Sequence, residues 1–285
     1  MITQYIKKIL SIITKRNVLF IPKYKQGFLH SVKSAMGFWY CGNLYDTSDI
    51  AYGIAINGLV EEQETKLVTK ILRQLPEDYI FIDIGANSGY YGIMSSFISS
   101  KSKTYSFEPL KEHCDLIRES AKINQLNNIE INEHALGKRN EDKNIYIAGS
   151  GTTLIKDFTG DIRGVNKIVI KRLDDVILQK NISNAHFIKI DVEGFEFEVL
   201  QGATKMIEKF KPILFIEICH TKNGNGRKYI NPNFRNTFIF LENLGYTASM
   251  LSGDTLKSFN KETTPNNGVW MFLFIHKTNH NNITL

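Results

Sequence analysis

At 285 residues the chain is long enough for one large α/β domain, or one domain with appendages. It carries 35 Lys and Arg against 29 Asp and Glu, and the resulting net charge of +6 is scattered, which argues against a dedicated nucleic-acid surface and favours a solvated face open to anionic substrates. Cys41, Cys114 and Cys219 are odd in number and lack any zinc or C-x-x-C spacing, which excludes a disulfide framework and fits a reducing cytoplasm.

From the N-terminus, Ile2, Ile6, Ile9 and Ile13 fall on one helical face, but Lys7, Lys8, Lys15 and Arg16 interrupt any membrane span or signal peptide. Such a helix is expected to pack on the domain or on a second subunit; contact with a membrane surface is its other use. Residues 17–59 are rich in aromatics and glycine, with Phe38, Trp39, Tyr40, Tyr45 and Tyr52, and read as irregular strands capping the main domain. Together with the isoleucine face they predict a homo-oligomer. Glu61–Gln74 is helical, with Leu67, Val68, Ile71, Leu72 and Leu75 buried, and Pro76 stops it.

Tyr79–Gly92, YIFIDIGANSGYYG, organises the rest of the chain. An apolar run ends in Asp83, Gly85, Asn87 and Gly89 form a tight loop, and Tyr90–Ile98 starts a helix, so backbone N–H groups are expected to point at a ligand. A dinucleotide site prefers G-x-G-x-x-G. The D-x-G-x-x-x-G spacing here suits a ligand with an ammonium and a carboxylate and no phosphate, such as S-adenosyl-L-methionine.

Strands and helices then alternate: strand Thr104–Phe107, helix Leu110–Asn124, strand Ile129–Ala135, strands Asn144–Ala148 and Lys167–Lys171 around a polar loop, and helix Leu173–Gln179. Next come strand His186–Asp191, helix Phe195–Glu208, strand Pro212–Ile218 and helix Phe234–Leu244, with final strands near Tyr246–Leu251 and Val269–His276. This order predicts a mainly parallel sheet with helices on both faces, closed by an antiparallel pair.

Ligands of such sheets bind at the carboxyl ends of the strands, which are Asp83, Glu108, His134, Asp191 and the Glu217–His220 run. Glu108, 25 residues after Asp83, can accept hydrogen bonds from a ribose diol, and His134 neighbours an adenine pocket. In Asp191-Val192-Glu193-Gly194, Asp191 is expected beside the ammonium or methyl end of the cofactor and Glu193 facing the acceptor or a divalent cation. Two carboxylates are fewer ligands than a divalent ion usually recruits, so no metal is expected. His220 comes after the next strand and could take a proton from an acceptor hydroxyl.

The runs FIDIGANSGYYG, SFEP at Ser106–Pro109, ALG at Ala135–Gly137, RLDD at Arg172–Asp175, KIDVEGFEFEVLQGA at Lys189–Ala203 and PILFIEI at Pro212–Ile218 together resemble the FkbM family of S-adenosylmethionine-dependent methyltransferases. The resemblance implies the class I, Rossmann-like fold: a mostly parallel seven-stranded sheet with an antiparallel terminal strand. It implies O-methylation, often of sugar or polyketide hydroxyls. It places cofactor roles on Asp83, Gly85, Asn87, Gly89 and Glu108 and an active-site role on Asp191 and Glu193. Beside these, Glu61, His134, Ala135 and Asp191 are expected at the cofactor, and His220 is the third catalytic candidate from its place on the rim. The expected organisation is an N-terminal helix and cap (1–57), a methyltransferase domain (58–278) and a tail (279–285). The expected acceptor is a sugar hydroxyl, in a nucleotide sugar or a capsule or O-antigen precursor. Rival readings are an RNA or protein methyltransferase on the same fold and, from another class, a nicotinamide-dependent oxidoreductase.

Overall fold

The structure is a computed structural model that describes residues 18–24, 27–44, 46, 49–148, 151–158, 162–222, 228–260, 262, 271–279 and 283–284. The expected N-terminal helix, Ile2–Ile13, lies outside the described residues. No helix among the described residues is long and apolar enough to cross a membrane.

Eight strands form the main sheet: β4 (Ile80–Ile84), β5 (Lys103–Phe107), β6 (Ile129–Asn132), β10 (Phe187–Ile190), β11 (Ile213–Glu217), β14 (Tyr246–Ser252), β15 (Thr255–Ser258) and β16 (Met271–His276). Their order across the sheet is β15-β14-β16-β11-β10-β4-β5-β6. Strands β6, β5, β4, β10 and β11 are parallel, whereas β16 is antiparallel to both β11 and β14. Seven of these strands are the ones the sequence marks. The eighth, β15, is a short edge strand hairpinned onto β14. The chain runs outward from β4 through β5 to β6, then returns to lay β10 and β11 on the other side of β4. That reversal leaves a crevice beyond the carboxyl ends of β4 and β10.

Apolar residues cover both faces of the sheet. Ile82, Ile84, Ile188, Ile190, Leu214 and Ile216 point to one core, and Phe81, Phe187 and Phe215 to the other. The phenylalanines form a row, Phe81 on Phe187 at 5.5 Å between ring centroids and Phe187 on Phe215 at 6.4 Å. Two residues further along the same face stand Asp83, Lys189 and Glu217, because strand side chains alternate. The second core is roofed by α1 (Ile50–Asn57), α2 (Glu62–Leu72), α3 (Tyr90–Ile98) and α4 (Lys111–Ile123).

The aromatic N-terminal region is a three-stranded antiparallel sheet of β1 (Val18–Tyr24), β2 (Gly27–Lys33) and β3 (Trp39–Gly42). It braces the domain: Phe38 and Tyr40 are buried against Tyr90, and Trp39 exchanges hydrogen bonds with Asn124 on α4. These two aromatics are therefore spent inside the chain and offer no surface to a second subunit.

Two predicted elements are broken. The Ile129–Ala135 run ends as a strand at Asn132, and Ala135–Leu136 (β7) joins a separate three-stranded sheet with β8 (Glu141–Ile147) and β9 (Gly164–Lys171). The Phe195–Glu208 helix splits into α6 (Glu196–Gln201) and α7 (Thr204–Phe210). A Cβ on Gly202 would sit 1.9 Å from the Gly137 carbonyl oxygen, so the chain turns where the two backbones meet. The remaining helices are α5 (Leu173–Gln179) and α8 (Phe234–Asn243).

Candidate active site

A cavity of about 430 Å³ opens at the carboxyl ends of β4, β5, β10 and β11. Of the sequence-predicted residues, Glu61, Gly85, Asn87, Glu108, Ala135, Asp191 and Glu193 line it. Asp83, Gly89 and His134 stand behind its wall. His220 opens β12 (His220–Lys222), which pairs with β13 (Lys228–Ile230), and its side chain lies outside the described residues.

The glycine loop differs from expectation in one respect. Its N–H groups are consumed within the protein. Gly85 and Ala86 donate to the Phe107 carbonyl, Asn87 to the Glu108 carboxylate at 2.9 Å, Ser88 to the Asn87 side chain and Gly89 to the Ala86 carbonyl. The glycines serve packing instead. At φ +75° Gly85 lets the Asp191 carbonyl approach, where a Cβ would be 1.8 Å from it, and at φ +87° Gly89 seats against Ile117. The Tyr40 hydroxyl donates to Ser88 Oγ, tying the loop to the N-terminal sheet. A ligand here meets side chains and walls rather than a bare helix N-terminus.

Glu108 ends β5 with one oxygen accepting from Asn87 and the other from the Leu110 N–H at 2.9 Å. His113 Nδ1 lies 3.5 Å from the same carboxylate, a charge contact rather than a formed hydrogen bond. Burial lowers the affinity of His113 for its proton, but Glu108, Glu112 and Asp49 together outweigh it and the pKa is raised. Glu108 keeps further lone pairs for a donor in the cavity. His134 is tilted on Phe107, 5.4 Å between ring centroids, with Nδ1 3.1 Å from the Ala135 carbonyl; burial lowers its pKa. Adjacent Ala135 and Leu136 supply the apolar wall.

At the other end the charges converge. Lys189 is buried, its ammonium 2.8 Å from Asp191 and 4.7 Å from the centroid of the Tyr91 ring. Burial alone would lower its pKa, yet Asp191, Glu61 and Asp83 together raise it. Asp83, register partner of Lys189 across β4 and β10, is 1% exposed. Neither of its carboxylate oxygens has a well-formed hydrogen bond, although the Gly92 N–H is near enough to ease the charge. Burial raises its pKa to about 6 against the pull of Lys189. Glu61 caps α2 in a left-handed conformation (φ 45°) and accepts the Tyr91 hydroxyl at 2.7 Å; burial raises its pKa too.

Beyond Lys189, Asp191, Glu193 and Glu217 bring carboxylate oxygens within 4.8 Å of one another. Burial would raise Asp191, but Lys189 and a hydrogen bond with Glu217 hold its pKa low. Glu193 and Glu217 are pushed well above the ordinary carboxylate range by burial first and by Asp191 second. Once ionised, a carboxylate whose pKa is raised in this way is a stronger proton acceptor than an ordinary one. Glu217 carries the third carboxylate, and sequence reasoning gave it no role beyond its place on the rim. The signal was there: an apolar run, Ile213–Ile216, ends in an acid just as the run before Asp83 does. Lys189, two residues before Asp191, shares its face by the same alternation, but its place among three carboxylates depends on Glu61 and Asp83, which are distant in sequence.

Residues 83–248, more than half of the chain, match the Methyltransferase FkbM domain. The chain belongs to the FkbM methyltransferase family. This FkbM methyltransferase is an enzyme that uses S-adenosyl-L-methionine. Methyltransferase 1 of Beauveria bassiana is 21% identical over 169 residues, covering 52% of this chain and 67% of its own. The hexuronic acid methyltransferase AglP of Haloferax volcanii is 23% identical over 147 residues, covering 51% of this chain and 58% of its own. The crystal structure of methyltransferase FkbM from Methylobacillus flagellatus aligns at a TM-score of 0.47 and 16% identity, over 79% of this chain and 53% of that one. The chain thus spans little more than half the length of AglP and of that solved structure.

The residues present fit the cofactor of the family. An orphaned, buried Asp83 and an acidic excess around one ammonium suit a ligand with two positive centres, and the lone pairs of Glu108 suit a diol. Phe107, Leu110, Ala135 and Leu136 give the apolar walls an adenine needs.

Proposed function

We propose that this FkbM methyltransferase methylates a sugar hydroxyl, in a nucleotide sugar or a surface polysaccharide precursor. The observation that carries this reading is the carboxylate trio at the inner end of the cavity, Asp191, Glu193 and Glu217. An alcohol must lose its proton as it is methylated, and carboxyls with raised pKa values are suited to take it. Kinship with the hexuronic acid methyltransferase AglP supports a saccharide acceptor.

In this reading Glu108 holds the ribose hydroxyls, Glu61 takes the ammonium beside Tyr91 with Asp83 adding negative charge from behind the wall, and Ala135 and Leu136 flank the base. When bound, S-adenosyl-L-methionine supplies a methyl group already activated on a sulfonium. The protein's task is to align the acceptor oxygen and receive its proton. Asp191 is committed to Lys189 and Glu217, so Glu193 is the proton acceptor. Burial and Asp191 raise the Glu193 pKa, so its protonated form is favoured in the cofactor-free cavity. A cationic ligand lowers that pKa and frees the carboxylate, so the base is ready only in the loaded site.

The test is transfer of labelled methyl to a panel of nucleotide sugars and oligosaccharides, and then treatment with mild base. A base-stable ether supports hydroxyl methylation. Label released by base would mean a methyl ester on a uronate carboxyl and would replace this reading. Transfer to RNA with steep salt dependence would also overturn it.

A further inference from the structure

The turn that carries Glu193 cannot hold itself. Glu193 is at φ 51° and Gly194 at φ 96°, two consecutive left-handed residues after β10, the first unfavourable for a side chain with a Cβ. The connection between β8 and β9 holds it from outside. Thr153 Oγ1 donates to the Glu193 carbonyl at 2.6 Å and accepts the Ile155 N–H at 3.1 Å. Thr153 is 1% exposed, and its backbone exchanges two hydrogen bonds with Tyr146 of β8, at 2.8 and 3.1 Å. Phe158 and Ile155 close over Gly194, where a Cβ would lie 2.8 Å from the Phe158 ring. On the inner side the Gly194 N–H donates to buried Glu196 at 2.9 Å, and Glu196 accepts from Asn231, whose N–H donates to the Cys219 carbonyl.

A hydroxyl has one proton, so its donation to the Glu193 carbonyl fixes both its own rotor and the orientation of that peptide. The peptide in turn sets the direction of the Glu193 side chain. We infer that Thr153 is a positioning residue, which aims the Glu193 carboxylate at the acceptor by holding the Glu193 carbonyl. This rests on the reading of Glu193 as proton acceptor.

The experiment compares Thr153→Val, which keeps the shape and removes the hydroxyl, with Thr153→Ser, which keeps the hydroxyl, and with Glu193→Gln. Turnover is measured with labelled S-adenosyl-L-methionine and whichever nucleotide sugar scores in the panel. Cofactor affinity is measured by calorimetry, and amide exchange is monitored over residues 191–196. Thr153→Val is expected to lower kcat about tenfold or more with cofactor affinity unchanged, and to speed exchange in that segment. Thr153→Ser is expected to restore both. Thr153→Val should add little in a Glu193→Gln background, since both act on one group. Wild-type turnover in Glu193→Gln would overturn the base and this inference with it. An impaired Glu193→Gln beside a fully active Thr153→Val would overturn only the positioning. If Thr153→Val fails to bind cofactor, Thr153→Ala is read in its place, and unchanged exchange over residues 191–196 in a cofactor-binding variant sinks the inference without any acceptor.

Discussion

The Glu108 carboxylate accepts the backbone N–H of Asn87 at 2.9 Å, across the gap between the ends of β5 and β4. The carboxylate proposed to hold the ribose therefore also fastens the glycine loop, so the ends of β4 and β5 are set in register before any ligand arrives. Glu108→Ala removes a ligand contact and orphans the N–H groups of Asn87 and Leu110. Cofactor affinity should fall at least ~10-fold, about 1.4 kcal/mol, with a stability loss of about 1–3 kcal/mol. Glu108→Gln, whose single amide oxygen can accept only one of the two bonds, should lose less stability than Glu108→Ala and still lose the affinity. Calorimetry and thermal melts separate the two effects; equal affinity in wild type and Glu108→Gln would remove Glu108 from the diol.

In the proposed reading Asp83 exchanges stability for binding. Its folded-state pKa, raised by burial from 3.8 to about 6, means that the folded chain keeps a proton the unfolded chain has lost between those values. The cofactor-free protein should therefore lose stability as pH rises through that window. Asp83→Asn should raise the melting temperature of the cofactor-free protein at pH 8 and leave it nearly unchanged at pH 4. It should weaken S-adenosyl-L-methionine binding at least ~10-fold. Wild-type affinity should rise with pH up to about 6 and level off above it, because the ammonium selects the ionised carboxylate. A flat affinity between pH 5 and 8 would contradict this.

Lys189 is the ammonium that lets several carboxylates share one strand end. Lys189→Met should cost about 3–5 kcal/mol at pH 8, the usual penalty for breaking a buried pair from one side. Asp191, Glu61 and Asp83 can take up protons once the ammonium is gone, so the cost should shrink toward pH 5. Denaturant titrations at the two pH values test this, and an equal loss at both would mean that packing rather than charge is what Lys189 supplies.

The pH profile of kcat/KM for S-adenosyl-L-methionine should rise through an apparent pKa above the ordinary carboxylate range, and that of kcat through a lower one, since Glu193 acts only when ionised and the cationic cofactor favours its ionised form. Glu193→Gln should lower kcat by roughly 10²-fold with near-normal cofactor affinity. Activity should persist in excess chelator, because Asp191 is occupied by Lys189 and Glu217. Reversible loss of activity on chelation would instead make Asp191, Glu193 and Glu217 a cation site.

The parts of this enzyme written in local pattern were legible. Predicted strands ending at Asp83, Glu108 and Asp191 marked the rim of the cavity, and D-x-G-x-x-x-G separated this ligand from a dinucleotide. What was hidden depends on contacts between distant segments. Gly202 sits at the helix break with the Gly137 backbone against it, and the N–H groups of the glycine loop are occupied because Phe107 and Glu108 come alongside. Thr153 carries no signature at all: its role exists only where the β8–β9 connection folds back onto Glu193.

Strand β16 lies between β11 and β14, although it comes after both in the chain. During synthesis β11 must wait with one edge open, a strand-pairing hazard in the unfinished protein. The strands that shape the cavity, β4, β5, β10 and β11, are all made before residue 271. A nascent chain can thus assemble the cofactor pocket before the sheet is sealed, and S-adenosyl-L-methionine in the cell can stabilise it by mass action while it waits. Starving cells of the cofactor would then lower the yield of folded enzyme, quite apart from its activity.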